Sequence, residues 1–161
     1  MRPMIILNEI DLKRYKPEYL QSLSEFELTK EQEQFTSLPM DRLEATHERH
    51  PIVIVNNKKP VGFFVLHSSD RVKEYTDNTN AMLLAAFSIN YFQQGRGYAS
   101  IAMKQLKVFA NQEFPDCNEI VLAVNKKNIA AQKLYEKAGY IDTGRRKMGP
   151  IGEQLILSYS V

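Results

Sequence analysis

The chain has 161 residues, 43% hydrophobic and 25% charged, the proportions of one globular domain spanning 1–161. A formal charge of +2, with no basic run interleaved with aromatics, argues against nucleic acid as a partner, and no apolar run approaches a membrane span. The single cysteine, Cys117, excludes an internal disulfide and a multi-cysteine metal site, so no metal is expected.

The N-terminal segment lacks the apolar core and cleavage site of a signal peptide, so a cytoplasmic location is expected. Met4 to Asn8 reads as a short apolar strand. Pro17 to Leu23 reads as the first turns of a helix, with Pro17 near its start. Thr29 and Gln32 fit a capping box, and Asp41 to Glu44 repeats that pattern after Pro39. Ile52 to Val55 is continuously β-branched, residues 56–60 carry turn chemistry, and Val61 to Leu66 returns as the hairpin partner. Ser68 to Asn80 is polar without periodicity and is expected to be a surface loop.

Met82 to Ile89 is the next strand. Tyr98 to Phe114 has helical spacing of Tyr98, Ile101, Ala102, Leu106 and Phe109, and Pro115 ends it. Cys117 follows in a turn with no base beside it in the sequence and is read as structural. Ile120 to Val124 is a buried strand, parallel to Met82 to Ile89 because a helix separates the two. Asn128 caps a helix whose Ala131, Leu134, Tyr135 and Ala138 share a face, and Gly139 lies just past its end. Tyr140 to Thr143 and Gln154 to Tyr159 are the last strands, joined by a turn around residues 149–152. The last strand is expected at a sheet edge, where it leaves a homodimer open. The order is β-α-α-β-β-β-α-β-α-β-β, an α/β class with a mixed, mostly antiparallel sheet and one parallel step.

Two segments carry chemistry. The first is Gln94-Gly95-Arg96-Gly97-Tyr98-Ala99, a glycine-rich turn between a strand and a helix. Backbone N–H groups at a helix start have no intrahelical partner and share a direction, and the helix dipole adds positive charge there. Glycine lets a ligand approach the main chain, so the turn suits phosphate or pyrophosphate, with Arg96 as an added cation. The full dinucleotide pattern is missing, since Ser100 stands at the third glycine's place. The second segment runs from Asn125 to Tyr140, where Tyr135 reads either as a core aromatic or as a proton donor.

Taken together, the two segments resemble the GNAT superfamily of acetyl-CoA-dependent N-acetyltransferases. The resemblance spans the whole β/α order and is strongest from Ala81 to Tyr140. Residues 94–99 fit the family's (Gln/Arg)-x-x-Gly-x-(Gly/Ala) loop. Asn128, Ala131, Leu134, Tyr135, Gly139 and Tyr140 fit its second signature.

The resemblance implies a GNAT-like fold with acetyl-CoA as co-substrate. It implies that Phe87 and Ile89 offer backbone groups to the pantetheine arm where two parallel strands splay. Gln94, Gly95, Arg96, Gly97, Tyr98 and Ala99 hold the pyrophosphate, with Ser100 adding a hydroxyl. Asn128 contacts the cofactor, Lys133 reaches phosphate, and Tyr135 is the general acid.

Chemistry supports these roles independently. A neutral amine attacks the thioester carbonyl, a backbone N–H near Ile89 stabilises the oxygen, and the leaving thiolate needs a proton. A tyrosine, with a reference pKa near 10, still holds one at neutral pH. Glu25, Glu27 and His67 are candidates for the base that deprotonates the amine, or are structural; none is assigned.

The acceptor pocket is expected from the early helices, the Ser68–Asn80 loop and the final hairpin, with Phe35 to Pro39 as a lid or as packing. Glu25, Glu27, Glu31 and Glu33 suggest either a groove for a cationic small-molecule amine such as a polyamine or solvated helix faces. A protein or peptide acceptor, and a non-catalytic acyl-CoA-binding module, are the alternatives.

Overall fold

In the computed structural model, which describes residues 9–161, seven strands join in one mixed sheet. They are β1 (Ile10–Arg14), β2 (Arg49–Asn56), β3 (Lys59–His67), β4 (Ala81–Ile89), β5 (Glu119–Asn125), β6 (Ile141–Gly149) and β7 (Gly152–Ser160). Their order across the sheet is β1-β2-β3-β4-β5-β7-β6. Every pairing is antiparallel except β4 with β5. Among the described residues there are four α-helices: α1 (Leu20–Ser24), α2 (Lys30–Glu33), α3 (Tyr98–Glu113) and α4 (Ile129–Lys137). No described helix is long and apolar enough to cross a membrane.

Strand alternation sorts the core onto two faces. Ile52, Ile54, Phe64 and Leu66 pack with Ala102, Met103 and Leu106 of α3. Val53, Val55, Phe63 and Val65 face the other way, onto Leu23 and Phe26 of the α1 region. His67 continues the Phe63–Val65 series by the period of two and shares that second face. The β2–β3 turn places Asn57 and Lys58 at φ 51° and 70°, the double left-handed geometry that matches strand twist in a two-residue hairpin. α3 supplies the crossover that makes β4 and β5 parallel.

Three expectations change, and a fourth falls outside what the structure describes. The strand at Met4 to Asn8 lies outside the described residues, and the first described strand is Ile10–Arg14. Asp41 to Glu44 does not start an α-helix: Pro39–Asp41 is a single 3₁₀ turn, and no side chain caps it. The 68–80 connection holds a 3₁₀ turn, Asp70–Glu74, anchored by buried Val72 and Tyr75. The last strand is not at an edge: β7 lies between β5 and β6, so the hairpin's outer strand carries the exposed edge. Burial agrees with this order: Ile156 and Leu157 of β7 are buried while β6 is almost wholly exposed. The capping box is present, with Gln32 N–H on Thr29 Oγ1 and Thr29 N–H on Gln32 Oε1, both 3.1 Å.

Candidate active site

The site begins with one extra residue. Across β3 and β4, Ser88 pairs with Phe63 but Ala85 pairs with Val65, so two residues of β4 oppose Phe64 alone. Ala86 takes φ 55° at this bulge. A bulge bends its strand and increases the local twist. β4 and β5 pair only through Ala81–Glu119, Met82–Ile120 and Leu83–Val121, and then diverge. The divergence opens a cavity of about 810 Å³ between Leu84–Ile89 and Leu122–Asn125, with Asn128, Ala131, Leu134 and Tyr135 of the α4 region along one wall.

Ile89 shows what the bend exposes. Asn90 N–H donates to Val61 O at 3.0 Å, which makes Ile89 and Gly62 a non-hydrogen-bonded antiparallel pair. The N–H and C=O of Ile89 therefore point away from β3, to the side that β5 has left. Gln94 Nε2 donates to that carbonyl at 2.8 Å. The N–H faces the cleft.

A short 3₁₀ turn, Tyr91–Gln93, separates β4 from the glycine loop. Gly95 and Gly97 have φ 77° and 82°, and a Cβ added at either would meet no atom within 4 Å. Their need for glycine is therefore conformational, and the space above the loop is open. Gly97 is the N-cap of α3, and no side chain caps the first turn. The amides of Tyr98, Ala99 and Ser100 are left without intrahelical partners. Arg96 is exposed, and its nearest acceptor is Phe92 O at 3.5 Å.

The expected cofactor residues separate into groups. Phe87, Ile89, Gln94, Asn128 and Tyr135 all line the cavity. Gly95 to Ser100 continue directly from Gln94, outside that lining. Tyr98 has only its amide to offer: its ring is 4% exposed in the core, and its hydroxyl accepts from Asn56 Nδ2 at 3.0 Å. The Gln94 side chain is committed to a reciprocal amide pair with Gln32 (2.9 and 3.2 Å) as well as to Ile89 O, so it braces the loop against α2. Asn128 caps α4 through Oδ1 to Ala131 N–H at 3.2 Å. Lys133 is exposed on α4 and away from the cavity lining.

Tyr135 is held by its ring. It meets Phe87 edge-on at 6.3 Å and Tyr140 at 5.4 Å. No hydrogen bond joins its hydroxyl to another described residue. Burial pushes its pKa well above the ordinary tyrosine value, which keeps the proton on the oxygen.

The cavity continues into a side chamber of about 180 Å³ on the other face of the sheet, and the two share Phe35–Ser37, Arg42, Leu84–Ala86, Ala123 and Gln154. Val65, His67, Arg71, Tyr75 and Leu83 complete the chamber. The early segment, the 68–80 loop and the final hairpin thus meet here, as the sequence suggested. The four early acids do not gather into one groove. Glu31 and Glu33 line the outer cavity, while Glu25 and Glu27 line neither space. Glu25 is the C-cap of α1, and Glu27 is fixed by its backbone, N–H to Asn90 Oδ1 and C=O from Tyr91 N–H.

The inner chamber is basic. Burial first, then Arg71, Arg49, Arg42 and His50, lowers the His67 pKa to about 4, so the imidazole is neutral at neutral pH. Sequence reading missed Arg42 and Arg71. No local pattern marks either residue, and only the fold brings the two, 29 apart in the sequence, to one chamber.

The site thus joins strands that diverge, a helix start no side chain caps, and a buried phenol on the wall between. The family profile described as Acetyltransferase (GNAT) family matches residues 18–140. The protein described as "Uncharacterized N-acetyltransferase YbbJ" of Bacillus subtilis (strain 168) is 46% identical over 155 residues, covering 94% of this chain and 97% of its own. The chain therefore belongs to the GNAT acetyltransferase family and is an N-acetyltransferase using acetyl-CoA. Among solved structures, aminoglycoside acetyltransferase AAC(6')-Ib in complex with coenzyme A and kanamycin shares the fold at TM-score 0.75 and 17% identity, over 94% of this chain and 95% of that one. Spermidine N-acetyltransferase from Vibrio cholerae, in complex with CoA and spermine, does so at TM-score 0.69 and 13% identity, over 94% and 95%.

Proposed function

We propose that the chain moves an acetyl group from acetyl-CoA to the primary amine of a small molecule by direct attack, with Tyr135 as general acid. The observation that carries this reading is the buried, unpartnered phenol of Tyr135 on the wall of the β4–β5 cleft. The chamber, about 180 Å³, is small beside the main cavity of about 810 Å³, which suits a small acceptor better than a polypeptide. The solved relatives, at 13–17% identity, support the fold and leave the choice of acceptor to this chain's own residues.

The residues present fit the donor. The open space over Gly95 and Gly97 leaves the Tyr98, Ala99 and Ser100 amides free for a diphosphate, with Arg96 beside them. The free edge of β4 at Phe87 and Ile89 suits the amide groups of the pantetheine arm. The donor supplies a thioester carbonyl and a thiolate leaving group.

As the amine nitrogen bonds to that carbon, the Ile89 N–H stabilises the charge gathering on oxygen. As the carbon–sulfur bond breaks, the Tyr135 hydroxyl gives its proton to sulfur, and the proton lost by the amine leaves with solvent. Hydrogen bonding to the loop orients the donor, and the Phe87 and Tyr135 rings exclude water around the reacting atoms.

The test is CoA thiol release with a panel of small amines and peptides, for the natural sequence and for Tyr135→Phe. Release that requires a small amine and collapses in the variant supports the reading. Release driven by peptides alone, acyl-CoA binding without release, or full turnover by the variant each overturns part of it.

A further inference from the structure

The inner chamber collects cations that have no anion. Arg42 lines it and meets only the neutral hydroxyl of Ser37, at 3.2 and 3.3 Å. Arg71 lines it from the 3₁₀ turn after β3. Arg49 stands opposite His67 in the β2–β3 register, on the same face, and its Nε and Nη2 are buried without an acceptor. Among the described residues, no carboxylate lies within ion-pair distance of any of the three. By contrast Arg14, Arg145 and Arg146, which lie outside the chamber, are each paired with an acid.

Leaving guanidinium nitrogens dry and unpaired is costly, and a carboxylate or phosphate removes the cost through two parallel hydrogen bonds. A cationic acceptor in the same space would meet repulsion from all three arginines. Beside the bulge the main cavity presents a neutral group: Ser88 Oγ, in a residue only 4% exposed, is buried without a partner, as is Thr36 Oγ1 on the wall that the two spaces share. Those hydroxyls suit an amine nitrogen. One end of the passage therefore suits an anion and the other, beside the cleft, suits an amine.

We propose, resting on the acetyl-transfer reading of the cleft, that the acceptor is a small amine that also carries an anionic group, held by Arg42 and Arg71 with Arg49 behind them while the amine faces the β4–β5 opening. The chamber selects for the charge, and its small volume limits the spacer to the length of a short amino acid. Glu31 and Glu33, on the outer cavity, add repulsion against anions that approach by the mouth instead.

The test is a matched set of acceptors at constant acetyl-CoA: β-alanine and L-alanine, their carboxamides, 2-aminoethyl phosphate, and spermidine, read by CoA release. The expected result is kcat/KM at least tenfold higher for the anionic amines than for their amides, with the carboxylate and phosphate arms distinguishing the two anion types. Arg71 is exposed, so Arg71→Glu should fold. It should erase that preference through KM, and Arg42→Gln should weaken it, while both variants titrate acetyl-CoA with unchanged affinity. Amides or spermidine turned over as well as the carboxylates, or a preference indifferent to both substitutions, overturns the proposal and leaves N-acetyl transfer standing. Should no amine release CoA, calorimetry of the CoA-loaded protein with N-acetyl-β-alanine and its amide decides the question separately. Tighter binding of the acid, lost in Arg71→Glu, upholds the anion site when the transfer reading has failed, and equal binding overturns it.

Discussion

Replacing Gly97 by valine separates what the glycine loop does for the fold from what it does for the ligand. Gly97 has φ 82°, and an added Cβ would touch nothing within 4 Å. The native protein therefore bears only the backbone cost of a left-handed L-residue, about 1–2 kcal/mol and more for a β-branched one. If residue 97 relaxes to negative φ instead, the amides of the first turn of α3 re-aim. Losing two charge-assisted hydrogen bonds at about 1.5–3 kcal/mol each removes about 3–6 kcal/mol of binding. At about 1.4 kcal/mol per decade, that raises the Kd for CoA by about 10²- to 10⁴-fold. Gly144 supplies the control: φ 83°, no atom within 4 Å of an added Cβ, and a place on β6 outside the cavity lining. Urea melts should show similar losses of stability for Gly97→Val and Gly144→Val, and calorimetric titration with CoA should separate them. A Kd for Gly97→Val within threefold of the natural sequence would refute the assignment of the diphosphate to this loop.

Tyr135→Phe removes a hydroxyl that bonds to no described residue and keeps the ring contacts with Phe87 and Tyr140. Its melting midpoint and CoA affinity should hold while kcat falls about 10²- to 10⁴-fold, the range of general acid catalysis. Because burial raises the Tyr135 pKa, the natural protein should show no alkaline loss of rate from this group between pH 7 and 10 in a stopped-flow pH profile. His67 is displaced the opposite way for the same leading reason, burial, because the charged form of an imidazole is the protonated one. Its folded pKa of about 4 lies below the ordinary 6.5, so the unfolded chain binds a proton between those values and the native protein does not. Stability is therefore full above pH 6.5 and is lost as pH falls toward 4, by at most about 1.4 kcal/mol per pH unit. His67→Gln should flatten that dependence in urea melts at pH 5 and 7.5, and an unchanged slope would assign it elsewhere. Gln94→Ala removes the amide pair to Gln32 and the bond to Ile89 O. Hydrogen exchange at residues 29–33 should accelerate, with a stability loss of about 1.5–4 kcal/mol; exchange as slow as in the natural chain would show that α2 is held by other contacts.

What could be read in the sequence was what short-range chemistry decides. The capping box at Thr29, the cap at Asn128, Gly139 past the end of α4 at φ 102° and the β2–β3 hairpin all stand where local rules put them. The parallel step followed from the helix between two apolar strands. Asp41 to Glu44 met the same capping rule and still failed to start a helix, because Pro39 and the short span to β2 leave room for one 3₁₀ turn. Non-local facts stayed hidden. The place of β7 inside the sheet depends on pairing with β5, some thirty residues upstream, which no local pattern encodes. The bulge at Ala86 carries no glycine to announce it. No local pattern tells the early acids from the arginines of the chamber, and only the fold puts Arg42, Arg71 and His67 in one small space.

That bulge has two effects at once. By turning β4 away from β5 after Leu83, it frees the backbone of one strand edge for a linear ligand, the only kind of partner that could take the place of a strand there. The same gap perforates the sheet, so Leu84, Ala85, Ala86 and Ala123 line both the main cavity and the chamber behind it. Three of those four are alanine, and a larger side chain at any of them would close the passage between the two faces. A donor lying along one face can then meet an acceptor held on the other, with the tyrosine on the donor side and the basic chamber on the acceptor side. On the proposed reading, proton donation to sulfur and selection of the amine fall to residues in separate spaces, Tyr135 on the main cavity and Arg71 on the chamber. Tyr135→Phe should depress kcat for every acceptor by one factor, while Arg71→Glu should reorder the acceptors. Parallel measurements on the double variant should give the product of the two effects. A marked departure from that product would show that the sheet does not insulate the two faces from one another.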